Sequence, residues 1–115
     1  MSLRRLKVTI TGDTSDQKVG PLEGLLHAIY ADKGTLAATT DITITEAETA
    51  APILTITNLA ANLRYMPRDD VHTLAGAVQT QADERIPVSG DVRIVVAQGG
   101  AGTAGTLYFY VEEPC

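Results

Sequence analysis

Tryptophan is absent from this chain, phenylalanine occurs once (Phe109) and cysteine once (Cys115). A lone cysteine closes no disulfide within one chain, so the fold must rest on packing, and cysteine usage does not report the redox compartment. There are two histidines, His27 and His72, and three serines, Ser2, Ser15 and Ser89. A metal site needs a second histidine or cysteine at ligand spacing, and neither histidine has one. His27 reads as a packed or rim histidine within an apolar strand, His72 as part of a solvated turn. No serine sits in a nucleophile elbow, and no Ser/His/Asp arrangement is legible. Asp69-Asp70 and Glu112-Glu113 are adjacent carboxylates, but neighbours along a strand face opposite ways, so neither pair makes an acid–base dyad. No catalytic residue, cofactor or metal ligand is assigned, and the chain reads as non-enzymatic.

Long apolar runs are also missing. None approaches the ~18 residues of a membrane span, and the basic start, MSLRRLKVTI, has no apolar h-region of the kind a signal peptide needs. Basic residues are few: nine Lys and Arg against fourteen Asp and Glu, a net charge of −5. That balance argues against nucleic acid, which selects a basic face. A length of 115 residues is one domain, long enough to bury a core without staples; residues 1–5 are set apart as a candidate N-terminal arm.

What the chain does contain is alternation. Leu6, Val8 and Ile10 oppose Lys7, Thr9 and Thr11; Ile42 and Ile44 oppose Asp41, Thr43 and Thr45; Leu54 and Ile56 oppose Thr55 and Thr57. Period two with β-branched residues indicates strands. The first is expected to end at Gly12-Asp13 in a polar turn reaching Gln17, with Gly20-Pro21 as a second break. Residues 22–31 are apolar on both faces, and strand neighbours favour a strand over a helix there. Residues 40–46 and 53–58 are expected to form a hairpin, and 63–66 a short strand stopped by Pro67. In 69–84, Val71, Leu74, Ala75 and Val78 would line a helical face, but Gly76 and the β-rich surroundings point to a loop with a short strand. Pro87 makes 86–88 an edge or a bulge. Residues 91–98 and 106–112 alternate again, and an antiparallel hairpin is their simplest pairing, with Phe109 in the core between Leu107 and Val111. Seven or eight short strands with regular turn signals predict an all-β, antiparallel β-sandwich, jelly-roll-like or immunoglobulin-like.

The connector at 99–105 contains GAGTAG, a literal G-x-G-x-x-G. A dinucleotide fold requires a helix after those glycines and an acidic residue about 20 positions on. Here a strand is expected next, and no Lys or Arg lies in the connector, so the pattern reads as a mobile loop. Thr9-Ile10-Thr11, Thr43-Ile44-Thr45 and Thr55-Ile56-Thr57 repeat T-x-T on three strands. Threonine is a favoured exposed strand residue; aligned, the three pairs would also form a flat face suited to a protein partner or, more remotely, to ice.

The chain resembles small virion structural proteins of tailed bacteriophages. The resemblance rests on RRLKVTITG, TTDITIT, LRYMPRDDVH, RIPVSGDVRIVV and GTLYFYVEE, which together span most of its length. It implies a capsid decoration or cement protein, located in the virion after synthesis in the host cytoplasm, with the major capsid protein or another virion protein as partner. The alternative is a carbohydrate-binding β-sandwich using Tyr30, Tyr65, Tyr108 or Tyr110, although sugar sites more often display tryptophan. For the virion reading the candidate contact is the first strand: Arg4, Arg5 and Lys7 concentrate positive charge in an acidic chain, with Thr9 and Thr11 beyond them. A homo-oligomer is expected, a trimer if it occupies capsid three-fold positions, with no nucleic acid or membrane partner.

Overall fold

Alternating sequences build a sheet with one apolar face, and that face must be covered. The structure, a computed structural model, describes the backbone of residues 2–13, 15–72, 75–76 and 78–113, and the side chains of 3–13, 15–69, 75–76 and 84–113. Among the described residues eight strands follow in order: β1 (Ser2–Thr11), β2 (Ser15–Asp32), β3 (Asp41–Glu46), β4 (Pro52–Ile56), β5 (Leu63–Tyr65), β6 (Arg68–His72), β7 (Val78–Ala97) and β8 (Ala104–Glu113). All pairings are antiparallel, in the order β1-β8-β2-β7-β3-β4, with β5 added to β2 and β6 to β7. Among the described residues there is no helix.

The two long strands carry the architecture. β2 pairs with β7 through Ser15–Val19 and again through Leu22–Leu26, then with β8 on one side and β5 on the other. Between Val19 and Leu22 the register shifts, because Gly20 and Pro21 together stand opposite Asp91. Two residues facing one is a β-bulge, which bends the strand and sharpens its twist. Gly20 lies at φ 129° and Gly90, across the ladder, at φ 104°, so both strands turn at one level with backbone that a side chain would strain. The sheet therefore folds over on itself. One layer is β1, β8, the second half of β2, and β5; the other is the first half of β2, the second half of β7, β3 and β4.

Counting the halves of β2 separately, the pairs β1·β8, β2·β7, β2·β5 and β3·β4 are nested one inside another along the chain. A hairpin of four nested pairs rolled into two layers is a jelly roll. The core lies between the layers: Val8, Ile10, Leu26, Ile29, Leu107 and Phe109 from one sheet pack in a single cluster with Ile42, Ile44, Ile56, Val92, Ile94 and Val96 from the other. Leu36 and Leu59, from the connecting loops, close it.

Several expectations change. Residues 91–98 and 106–112 do not form a hairpin; β2 inserts between them. Alternation sets the faces of both strands but not their partners, and the apolar second half of β2 needs β8 beside it. Residues 2–5 are not an arm, since they pair with Tyr110–Glu113. The polar stretch after Gly12 returns to strand at Ser15, and Gly20-Pro21, a cis peptide, is a bulge within β2 rather than a break. Residues 69–84 contain the β6–β7 hairpin, with Arg68 opposite Arg85 and His72 opposite Val78. Pro87 sits where expected: β7 pairs with β6 up to Arg85 and with β3 from Val92, which leaves that edge open between them.

The glycine connector is tied down on both sides. The Gly12 N–H donates to the Thr103 carbonyl at 2.8 Å and the Ala37 N–H to the Gly99 carbonyl at 3.0 Å. The Thr35 N–H donates to the Ala104 carbonyl at 2.9 Å, and the Ala104 N–H returns to Thr35 Oγ1 at 2.9 Å. It is a strap across the end of the sandwich, and β8 follows it directly, so the helix N-terminus of a phosphate site is not there.

Two measurements check this packing. Phe109 is 0% exposed, and Phe109→Ala is expected to cost ~3–5 kcal/mol in denaturant unfolding; a change near zero would place the ring outside the core. A Cβ on buried Gly99 would lie 2.5 Å from Gly12 Cα, so Gly99→Ala should destabilise by about 1–3 kcal/mol through overpacking, whereas a freely mobile connector would show no loss.

Candidate functional site

Strand parity decides what the first layer shows to its surroundings. On β1, Leu6, Val8 and Ile10 turn inward, so Leu3, Arg5, Lys7, Thr9 and Thr11 turn outward, and all five are exposed. Register then places Lys7 beside Tyr108 and Arg5 beside Tyr110 on β8, Tyr108 beside Tyr30 on β2, and Tyr30 beside Arg64 on β5. The result is a transverse row across four strands, cation–aromatic–aromatic–cation.

The row is held by its own contacts. The Tyr30 and Tyr108 ring centroids are 6.2 Å apart at 43°. The Arg5 guanidinium carbon lies 5.4 Å from the Tyr108 centroid, and that of Arg64 5.8 Å from the Tyr30 centroid. The two guanidinium groups each rest on an aromatic face, worth roughly 0.5–1 kcal/mol at an exposed site. Asp32 and Tyr110 complete a hollow of about 350 Å³ with these residues. A second hollow, about 270 Å³, adjoins it and shares Arg64 and Tyr110; Leu3, His27, Ala28 and Met66 form the rest. Leu3 and Met66 are each 59% exposed, so this half of the face is apolar and uncovered.

Charge on the face is one-sided. Among the described residues Arg5, Lys7 and Arg64 make no ion pair. Glu112 also turns outward, but its carboxylate is paired with Arg85 at the base of the β6–β7 hairpin. Asp32 is the remaining acid in the hollow, so three cations face one anion in a chain of net charge −5.

The first-strand residues do not act as one group. Arg5, Lys7, Thr9 and Thr11 share the outward face, whereas Arg4 has the opposite parity and donates from Nη1 to the Pro21 carbonyl at 3.4 Å. Nor do the three T-x-T pairs meet. Thr43 and Thr55 are cross-strand neighbours, but β3 and β4 lie in the second layer and β1 in the first, and the exposed threonines of each turn away from the shared core, so they stand on opposite sides of the sandwich. Sequence reading missed Arg64, Met66 and the convergence of Tyr30, Tyr108 and Tyr110. An outward parity for Tyr108 and Tyr110 follows from Phe109 being inward, but their neighbours come from distant strands. Tyr65 is separate and packs against the core.

His27 is exposed on the rim of the apolar hollow; the His72 side chain and Cys115 lie outside the described residues. Among the described residues no group of three or more His, Cys, Asp or Glu gathers as metal ligands would. The outer face of the second layer carries a different feature, a forked ion pair in which Arg93 Nε and Nη2 donate to Asp16 Oδ1 and Oδ2 at 2.8 and 2.5 Å. The hydrogen bonds from Arg93 hold the Asp16 carboxyl below the usual aspartate range, and Asp16 in turn raises the Arg93 guanidinium. Comparison of the chain with protein-family models, with curated proteins and with solved structures finds no match.

The Asp16–Arg93 pair has a defined pH signature. A depressed carboxyl pKa contributes stability that is complete above the unfolded value, ~pH 4, and is lost as pH falls through the folded value. Asp16→Asn should therefore melt slightly below the parent at neutral pH, and the two melting curves should converge in acid. A gap that widens as pH falls would contradict the pairing.

Proposed function

We propose that this protein is a non-enzymatic virion structural protein of a tailed bacteriophage, a capsid decoration or cement protein that binds the major capsid protein lattice through the outer face of β1, β8, β2 and β5. The observation that carries the reading is that face, where cations, tyrosines and uncovered apolar side chains adjoin in an acidic domain. The resemblance to small virion proteins supports it. The jelly roll alone does not choose, because such folds serve both capsid and lectin domains.

The face suits docking on an acidic surface, while the net negative charge keeps free copies apart. Among the described residues β1 is an edge strand paired only with β8. Pairing of two β1 edges would set Arg4, Arg5 and Lys7 against their copies, and edge cations oppose that contact. A three-fold ring joins two different surfaces and avoids it, so a trimer remains the favoured homo-oligomer.

Three tyrosines around one hollow also favour a carbohydrate-binding reading. It is the weaker one, because Arg5 and Arg64 lie over the ring faces on which a sugar would stack.

The test is co-sedimentation of the purified protein with capsids that lack decoration, with light scattering for copy number. Saturable binding by a trimer is expected. Protein that stays in the supernatant at every ratio, or that instead binds a glycan array, ends the capsid reading. Deleting residues 2–7 would not be diagnostic, because it strips the pairing of β8 beside Phe109 and Val111.

A further inference from the structure

From the two adjoining hollows we infer that the outer face of the first layer is a receptor for an acidic polypeptide segment. Its Asp or Glu carboxylates lie between Arg5 or Lys7 and Arg64, and an aliphatic side chain enters the hollow beside Leu3 and Met66. The inference rests on the proposed docking role and names the chemistry of the partner.

Charge complementarity selects this occupant. Arg5 and Arg64 are held over Tyr108 and Tyr30, at 5.4 and 5.8 Å from the ring centroids. Their guanidinium groups are thus pre-positioned, and less side-chain freedom is lost when a carboxylate arrives. A guanidinium is built for a planar, two-oxygen acceptor. Among the described residues neither these arginines nor Lys7 has an intramolecular acid to satisfy it.

A second copy meeting through the same face would bring two such sets of cations together without acids to match. Nucleic acid fits poorly as well. Its phosphates repeat along a line, whereas the cations here are three, with Asp32 set among them, and the rest of the chain repels a polyanion. The apolar hollow adds a requirement that neither phosphate nor free carboxylate meets. Leu3 and Met66 lie just beyond the arginines across the shared Arg64 and Tyr110. A segment with acids flanking an aliphatic residue satisfies both halves at once, an apolar anchor with a charged rim.

The experiment uses the full chain and a short fluorescein-labelled peptide of Glu and Asp around a central Leu-Ile pair. Fluorescence anisotropy is expected to show saturable binding that weakens with added salt. Arg5→Glu and Arg64→Glu should each weaken it about tenfold or more, and Leu3→Ser with Met66→Ser should weaken it severalfold. These positions are exposed or outward-facing, so unchanged circular dichroism and melting show that the fold is intact. A peptide with Lys in place of the acids should not bind. Absence of saturation, equal binding by the charge-reversed variants, or tighter binding of a labelled single-stranded DNA would overturn the inference. Dissociation of a parent oligomer by the same variants would instead make a second copy the occupant and overturn it too. Capsid co-sedimentation of Arg5→Glu and Arg64→Glu separates the two readings. Capsid binding that survives both changes removes the receptor face and leaves the decoration role standing. Peptide binding without capsid binding does the reverse.

Discussion

The structure depends on the need to cover one apolar sheet face, met by bending two strands at one level. β2 and β7 are long enough to run through both layers, and the bulge at Gly20-Pro21 opposite Asp91 lets them do so together. With straight strands the faces carrying Ile42, Ile94, Phe109 and Leu26 would lie side by side in water. Bent, they face each other, and all four side chains are fully buried. Removing apolar surface from water in this way is the main favourable term in folding.

The bend also explains where the chain's ends and loops lie. Nested pairing brings Ser2 opposite Glu113 and Thr11 opposite Ala104, so the glycine connector passes directly over the turn that follows β1. Gly12 and Gly99 meet there backbone to backbone, which neither position could do with a side chain. Thr103 fastens the strap from within, its hydroxyl 2.8 Å from the Gly99 carbonyl and 2.7 Å from that of Gly100. What resembles a nucleotide loop in sequence is a structural closure in which the carbonyls of Gly99, Gly100, Thr103 and Ala104 and the Ala104 N–H are engaged by the chain itself.

Once the inner faces are committed to the core, the outer faces are free to differ. The second layer shows threonines and the Asp16–Arg93 pair, in which charge is balanced locally. The first layer shows cations resting on tyrosines beside exposed Leu3 and Met66, with charge left unbalanced. An ion pair that balances its own charge has little to attract a partner, whereas a surface that concentrates the minority charge next to apolar side chains has both steering and anchorage. That difference, rather than the jelly roll itself, gives the molecule a directional surface.

Much of this was readable in the residues. Period-two alternation is a local property, so it marked most strands, put Phe109 inside and put Lys7, Thr9 and Thr11 together on one face of β1. The scarcity of histidine, cysteine and serine likewise left no catalytic constellation legible in the residues. Partner choice was not readable, because a hydrogen-bonding edge is the same for every strand and the pairs that matter join residues about a hundred positions apart. The insertion of β2 between β7 and β8, the restart of strand at Ser15 and the pairing of residues 2–5 all follow from long-range packing. So does the candidate site. β1 announces two of its cations, but Arg64, Tyr30 and Met66 join them only because β8, β2 and β5 are laid alongside, and that order is decided by which apolar faces fit together in the core.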